Sequence, residues 1–416
     1  MTNRAGAQSD VPERYTFSAR GSPWRLHSAE QAIERYLEDE AVRAGAQRAF
    51  VICSKSIAGR TNTVERIREA LGKRFAGVYD GIEIDSTFRS VQAATQAARE
   101  AGADLLVSVG GGSVIVAVRA VDIFLCEQGD PFELMTQYPE GKPAYSPRLL
   151  APKLPIINVV TTPTGAMNRA GTGLKNDDLD QRMEYFDPKT RPVALLWDFE
   201  ALMASPYELI RSTATTTFAG ALTSVATTEH NPLVEGDREQ IFRLAKRAYE
   251  RLPEAPDDVG LRVDLCAAAF LGNRADDDGA TRRRGSSAFS GNYAVSTALH
   301  VRYPHVWQGE STSVFTAAVA RRSEPPPLEE ARRIAEALGV WREEMDARAA
   351  TLAAADGIEA LYRRVGMPTR VRDLNVPRED FALIARETVK NFNFNPGSRS
   401  ADDQVQASLE LLEAAW

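Results

Sequence analysis

The sequence predicts an α/β amino-terminal domain built on a parallel sheet, followed by an all-helical carboxyl-terminal domain. Three observations predict it. Short apolar strand patterns alternate with helical patterns through the first half, as in a parallel sheet covered on both faces. Beyond Ser205-Pro206 the chain is mostly long helical pattern, and Pro and Gly clusters separate several of the segments. At 416 residues the chain is also too long for one ordinary core. The boundary falls at about residue 205, giving domains 1–205 and 206–416, and no internal repeat is visible.

Residues 1–20 read as a frayed leader, and 1–11 are polar with no apolar core of a signal peptide. A helix is predicted over 28–44, with Gly45 as its stop, then an apolar strand over 48–53. A helix over 63–75 and a second strand over 81–84 follow. The next helix covers 86–101 and ends at Gly102. Residues 104–109 form a buried strand that runs into three glycines, 114–125 a strongly apolar helix, and 154–160 another buried strand. The second half carries helical patterns over 207–229, 238–252, 261–271, 328–338, 342–365 and 402–415.

Composition narrows the function classes. A net charge of -7 excludes the basic footprint of a nucleic-acid binder. The run Arg282, Arg283, Arg284 is the sharpest basic cluster and reads as a solvated loop rather than a phosphate or acidic-partner site. Cys53, Cys126 and Cys266 are far apart and odd in number, which argues against a disulfide framework. Cys53 lies in an apolar run and reads as a small core residue. No uncharged apolar stretch approaches the ~20 residues needed to span a bilayer, so no membrane role is expected and the cytoplasm is the default compartment.

Two motifs carry chemistry. Gly110-Gly111-Gly112-Ser113 follows a buried strand and opens a helix. Glycines there let a backbone approach a pyrophosphate, and the helix N-terminus offers free N–H groups with partial positive charge. The competing interpretation is a plain tight turn. Thr161-Thr162-Pro163-Thr164-Gly165 follows the next buried strand, where ligands of open α/β sheets bind. Its hydroxyls could hold a ribose or phosphate, or could belong to an ordinary turn.

With these motifs in place, the chain resembles the iron-containing (group III) alcohol dehydrogenases of the dehydroquinate synthase-like superfamily. Gly110–Ser113 matches the family's GGGS, and Thr161 to Thr164 the start of its PTTAGTGSE-type loop. Asp187-Pro188 with Leu195-Leu196-Trp197-Asp198 resembles its SP…AILD passage, and Ser205-Pro206 its LPP. Gly366-Met367-Pro368-Thr369 resembles its GIPTTLKDLG segment, and Phe394-Asn395-Pro396 its NPR. The resemblance implies a Rossmann-like NAD(P)-binding half, a helical half, and a small-molecule substrate in the cleft between them. It implies that Gly110, Gly111, Gly112 and Ser113 cradle the pyrophosphate. Thr161, Thr162 and Thr164 would contact phosphates or the nicotinamide ribose. Arg182 falls where the family often has a lysine near the cofactor. Dimers are common among relatives, so a homodimer is in keeping with it. Many NAD-preferring members carry an Asp after the first strand; Ser54 stands there, followed by Lys55 and Arg60, an environment that tolerates or favours NADP over NAD.

The chain departs from the family at its metal site. The family's Asp and His at i and i+4 of a helix correspond to Gly220 and Ser224. Two later histidines correspond to Ala294 and Gln308, or, with a shift of three, the last corresponds to His305. Of four histidines in the chain, His27, His230, His300 and His305, none restores the first pair. No family-type catalytic metal is therefore expected. Val116, Arg119 and the stretch Met167-Asn168-Arg169-Ala170 depart from the pattern as well. Without a Lewis acid, hydrogen-bond donors must stabilise the substrate oxygen. His300 and His305 are the candidates for acid–base work, because imidazole titrates near neutral pH, with Tyr293 and Arg169 behind them. Maleylacetate reductases, a branch of this superfamily, are generally regarded as metal-free. The expected function is an NAD(P)-dependent, metal-independent oxidoreductase interconverting an alcohol and an aldehyde or ketone. The alternative is a lapsed nucleotide-binding homologue that acts as a partner or scaffold.

Overall fold

The computed structural model describes residues 17–139, 142–227, 231–280, 289, 291–391 and 400–416. The leader to residue 16, Arg282 to Arg284 and Phe394 to Pro396 lie outside them. The amino half contains β1 (Arg25–Ala29), α1 (Ala32–Arg43), β2 (Ala49–Cys53), α2 (Lys55–Arg60) and α3 (Thr63–Leu71). It continues with β3 (Phe75–Tyr79), α4 (Phe88–Glu100), β4 (Leu105–Gly110), α5 (Gly112–Cys126) and α6 (Pro131–Leu134). Then come β5 (Ile156–Val160), β6 (Gly171–Leu174), β7 (Met183–Phe186), β8 (Ala194–Asp198) and α7 (Phe199–Met203). The helical half contains α8 (Tyr207–Ala226), α9 (Glu235–Arg251), α10 (Val259–Asp277), α11 (Tyr293–Arg302) and α12 (Gln308–Arg322). It closes with α13 (Leu328–Leu338), α14 (Ala347–Arg364), α15 (Phe381–Glu387) and α16 (Ala401–Ala414).

Six strands form one parallel sheet in the order β1-β8-β5-β4-β2-β3, and β6 and β7 pair as a separate antiparallel hairpin. Side chains of a strand alternate between faces, so both faces of the central strands must be covered. Val51, Cys53, Leu105, Val107 and Val109 pack under α1 and α3 through Ile33, Leu37, Ile67 and Leu71. Phe50, Ile52, Leu106 and Ile156 pack on the other face against Val91, Ala94, Val114, Val118 and Val121 of α4 and α5. Cys53 is fully buried in the first of these layers, as a small core residue. The helical half has its own core around α8, α9, α10 and α14, where the Phe218 and Tyr249 rings stack at 5.0 Å. A second cluster joins α11, α12, α15 and α16.

The structure corrects several expected elements. Residues 81–84 are not a strand; the second strand to form is Phe75–Tyr79, on the sheet edge beside β2. The helix expected over 63–75 stops at Leu71, because Gly72 takes φ 51, outside the helical region. The helix expected from 28 starts at Ala32, and the residues before it form the edge strand β1, paired with β8. The helix expected from 342 starts at Ala347, where the Asp346 carboxylate accepts the Ala349 N–H as a cap. No described helix is long and apolar enough to cross a membrane.

Candidate functional site

The chain winds from β2 to β3 in one direction and from β4 to β5 in the other, so the crevice beyond the ends of β2 and β4 is a topological switch point. In the ladder Cys53 lies beside Val109, which brings Ser54 alongside the glycine turn. Ser54 precedes α2, its hydroxyl bonded only to that of Ser56, and Lys55 and Arg60 are exposed.

Gly111, Gly112 and Ser113 are partly exposed, so the turn is neither sealed inside the protein nor capped by a side chain. The first backbone bond of α5 is Ile115 N–H to the Gly111 carbonyl, at 3.1 Å. The amides of Gly112, Ser113 and Val114 precede that bond and have no carbonyl of their own helix to meet. The glycines are demanded by packing as well. A Cβ on Gly110 would stand 2.7 Å from a Val114 methyl, one on Gly111 2.7 Å from Thr162 Oγ1, and one on Gly112 3.2 Å from Thr164 Oγ1. The two predicted motifs therefore form one corner, with the threonine loop seated on the glycine turn.

That packing changes the expected role of the threonines. Thr161 and Thr162 are 1% exposed, and Thr162 Oγ1 is buried without a hydrogen-bond partner. Thr164 accepts the Ala166 N–H at 3.1 Å. These side chains shape the corner from within rather than display hydroxyls to the cleft.

A turn from the β3–α4 connection closes one side. Asp85 and Ser86 both hold left-handed backbone (φ 61 and 55), a costly conformation for residues with a Cβ. It lets the Asp85 N–H donate to Ser113 Oγ at 3.2 Å and the Ser86 hydroxyl donate to the Ser113 carbonyl at 2.6 Å. The Ser113 side chain is thereby occupied, while its amide still faces the crevice. Arg182, at the start of β7, donates to the Gly173 carbonyl at 2.7 Å and leaves its Nε buried and unbonded.

The two candidate histidines are not brought together. His300 of α11 is 5% exposed and donates Nδ1–H to the Ser296 carbonyl at 2.8 Å. It feels the charges of Asp85 and Arg182, which places it where the helical half meets the corner. Burial, aided by Arg182 and opposed by Asp85, pulls its pKa down to about 4. The imidazole is thus neutral at pH 7, and the near-neutral titration expected of it is not met. His305 is exposed, donates Nε2–H to the Leu374 carbonyl at 3.0 Å, and lines a groove of about 470 Å³ with Val306, Glu310 and Met367. All residues of that groove belong to the helical half. Tyr293 is exposed at the start of α11.

The threonine loop is held by Arg119, which the sequence marks only as a departure from the family pattern, and by Asn158, Thr217 and Asn273, which sequence reasoning did not single out. Buried Arg119 donates to the Ala166 carbonyl at 2.7 Å and the Gly171 carbonyl at 2.5 Å, and Asn158 donates to the Met167 carbonyl at 2.8 Å. From the helical half, Thr217 donates to the Pro163 carbonyl at 3.0 Å, and Asn273 bonds Gly165, Asn168 and Arg169. A lone Thr or Asn inside a helical pattern gives no signal that could have found them.

The family's metal chemistry does not fit the residues present. Gly220 offers no side chain and Ala294 only a methyl, while Ser224 and Gln308 are poor ligands for iron or zinc. Gly309 donates its N–H to Ser212 Oγ at 3.0 Å and sits so close that a Cβ would overlap the Ser212 backbone. The chain next to Gln308 thus meets α8 at Ser212, about 12 Å along the helix from Gly220 and about 18 Å from Ser224 at 1.5 Å per residue. Among the described residues no group of three His, Cys, Asp or Glu side chains is placed to share an ion.

Comparison with known proteins agrees with this architecture. Residues 23–199 match the iron-containing alcohol dehydrogenase profile, and residues 213–416 the C-terminal profile of the Fe-containing alcohol dehydrogenase family. Maleylacetate reductase 2 of Cupriavidus pinatubonensis is 28% identical over 61% of this chain and 62% of that protein. Lactaldehyde reductase of Escherichia coli is 24% identical over 91% of this chain and 95% of that protein. The crystal structure of NADH-dependent butanol dehydrogenase A from Thermotoga maritima superposes with a TM-score of 0.80 at 18% identity, covering 96% of this chain and 99% of that one. The chain therefore belongs to the iron-containing alcohol dehydrogenase family of oxidoreductases.

Proposed function

We propose that the protein is an NAD(P)-dependent oxidoreductase that interconverts an alcohol and an aldehyde or ketone, without the family's catalytic metal. The observation that carries this reading is the open corner at Gly111 to Val114. Backbone amides of a helix N-terminus, unpaired within their own helix, lie there beside partly exposed glycines, which suits a dinucleotide pyrophosphate. When bound, the nicotinamide supplies or accepts the hydride. The chain's own part is positioning. The α5 amides hold the diphosphate, Arg182 lies nearby for a phosphate or ribose, and the threonine loop forms the wall between corner and helical half. Ser54 with Lys55 and Arg60 leaves room and positive charge for a ribose 2′-phosphate, which favours NADP. The substrate is a small molecule in the cleft between the two halves.

Charge on the substrate oxygen falls to hydrogen-bond donors, since the described residues place no group of three His, Cys, Asp or Glu side chains to hold a metal. His300, kept neutral near pH 7 by its burial, spends its one N–H on the Ser296 carbonyl, so its other ring nitrogen can accept a hydrogen bond from a substrate hydroxyl but cannot donate one. The similarity to a protein named maleylacetate reductase 2 makes a keto acid a sensible first substrate class. The test is titration with NADH and NADPH followed by nicotinamide fluorescence, then turnover on a panel of aldehydes and keto acids with metal content measured on the same sample. Binding with turnover at substoichiometric metal is expected. Failure to bind either nucleotide overturns the reading, and binding without turnover on any carbonyl substrate favours the lapsed homologue.

A further inference from the structure

The threonine loop leaves β5 in the amino half and is tied down by the helical half. Asn273 of α10 makes the tie. It is 6% exposed, and every polar atom of its amide is used. Its Nδ2 donates to the Gly165 carbonyl at 2.8 Å and to Asn168 Oδ1 at 2.5 Å, and its Oδ1 accepts Arg169 Nε–H. Asn168 in turn donates from Nδ2 to the Phe270 carbonyl, one turn earlier on the same helix, at 3.4 Å. Two donors and one acceptor in this arrangement are what an amide provides and a carboxylate or an alkyl group does not. The same stretch is anchored to its own domain by Arg119, at the Ala166 and Gly171 carbonyls, and by Asn158, at the Met167 carbonyl. The loop is therefore held from both halves at once.

We propose that Asn273 is a positioning residue for the transfer step, setting the distance between the cofactor corner and the helical half through the loop from Gly165 to Arg169. This rests on the oxidoreductase reading above. The amides offered to the pyrophosphate belong to α5, which Asn273 does not touch, whereas the threonine loop seated on that turn is tied by Asn273 directly. Loosening that wall spoils orientation more than affinity, and a misplacement of about 1 Å can cost about a hundredfold in rate.

The experiment compares wild type with Asn273→Leu, Asn273→Asp and Asn168→Ala. In Asn273→Leu, kcat falls by about tenfold or more while the NADPH Kd and the substrate KM stay within about twofold. The enhanced fluorescence of bound NADPH also drops, because the nicotinamide environment has changed. Asn273→Asp keeps the acceptor for Arg169 but sets a carboxylate against two acceptors, and falls at least as far. Asn168→Ala, on the loop itself, reproduces part of the loss, and its combination with Asn273→Leu is less than additive. Unchanged kcat and fluorescence overturn the proposal. So does a parallel decline of kcat, Kd, KM and Tm, which marks a merely structural residue. Should wild type bind no nucleotide, the oxidoreductase reading fails, and Asn273 is then judged by hydrogen exchange in the nucleotide-free protein. Faster exchange across residues 163–170 in Asn273→Leu supports the tie, and unchanged exchange removes it.

Discussion

The corner at the end of β4 and the face of α8 that meets α12 have diverged to different degrees within one chain. The corner keeps its glycines, and two of the three are held in place by contacts within the protein: Val114 against Gly110 and Thr162 against Gly111. The α8 face carries Gly220 and Ser224 where the resemblance expects metal ligands; at Gly220 there is open space for a Cβ and nothing in the packing that requires glycine. A position constrained by packing resists change even where ligand demands relax. A position constrained only by an ion is released once the ion is dispensable. The contrast sets a glycine turn fixed by its own packing beside an α8 face whose Gly220 and Ser224 are not usual ligands for iron or zinc.

The change that strikes this contrast hardest is Gly111→Val. Overpacking against Thr162 costs about 1–3 kcal/mol, and where the loop yields it closes the crevice. NADPH affinity is expected to fall about 10- to 100-fold, at 1.4 kcal/mol per decade. Fluorescence titration checks it, and unchanged affinity would place the nucleotide elsewhere. On the helical side, His300 provides the next largest effect. Its folded pKa of about 4 lies below the ordinary 6.5, so the unfolded chain binds the extra proton between those values. The stability from burying the neutral ring is present above pH 6.5 and is lost as pH falls from 6.5 to 4, amounting to about 3 kcal/mol. Denaturant melts from pH 7 to pH 4 should show wild type losing this increment and His300→Gln not losing it. A smaller effect is expected at Ser54. Ser54→Asp puts a carboxylate where a 2′-phosphate would lie, weakening NADPH by about tenfold while leaving NADH nearly unchanged. Equal effects on both would move the ribose away from β2. The smallest effect is the sharpest test of the comparison itself. Chelation, or addition of ferrous iron or zinc, is expected to leave kcat unchanged, and an activity lost to chelator and restored by metal would mean the α8 face still works with an ion.

Legibility in the sequence followed locality. The passage from Leu105 to Val114 announces itself, because a buried strand, a glycine run and an apolar helix each leave a local pattern. The corner could be named residue by residue for that reason. Strand β3 was displaced to 81–84, because Phe75-Ala-Gly-Val-Tyr carries a glycine and no clean alternation. Strand β1 was missed because Arg25-Leu-His-Ser-Ala reads as polar until β8 pairs with it. The burial of Thr161 and Thr162 and the tie from Asn273 were invisible for the same reason: each depends on a segment far away in the chain. A histidine's distance from neutral pH is likewise set by its surroundings, not by its neighbours in sequence.

The pairing of β1 with β8 has a consequence for biogenesis. Arg25 lies beside Ala194 in the finished sheet, so the first strand to leave the ribosome has no partner until almost the whole amino half has been made. Among the described strands it has no outer neighbour, and its inner neighbour arrives last. Contacts so distant along the chain are slow to form. A nascent chain that stalls before residue 194 would carry β5 as a naked edge, open to pairing with other chains. Completion of this sheet is thus a late checkpoint in synthesis, passed only as the first helix of the second half begins to emerge.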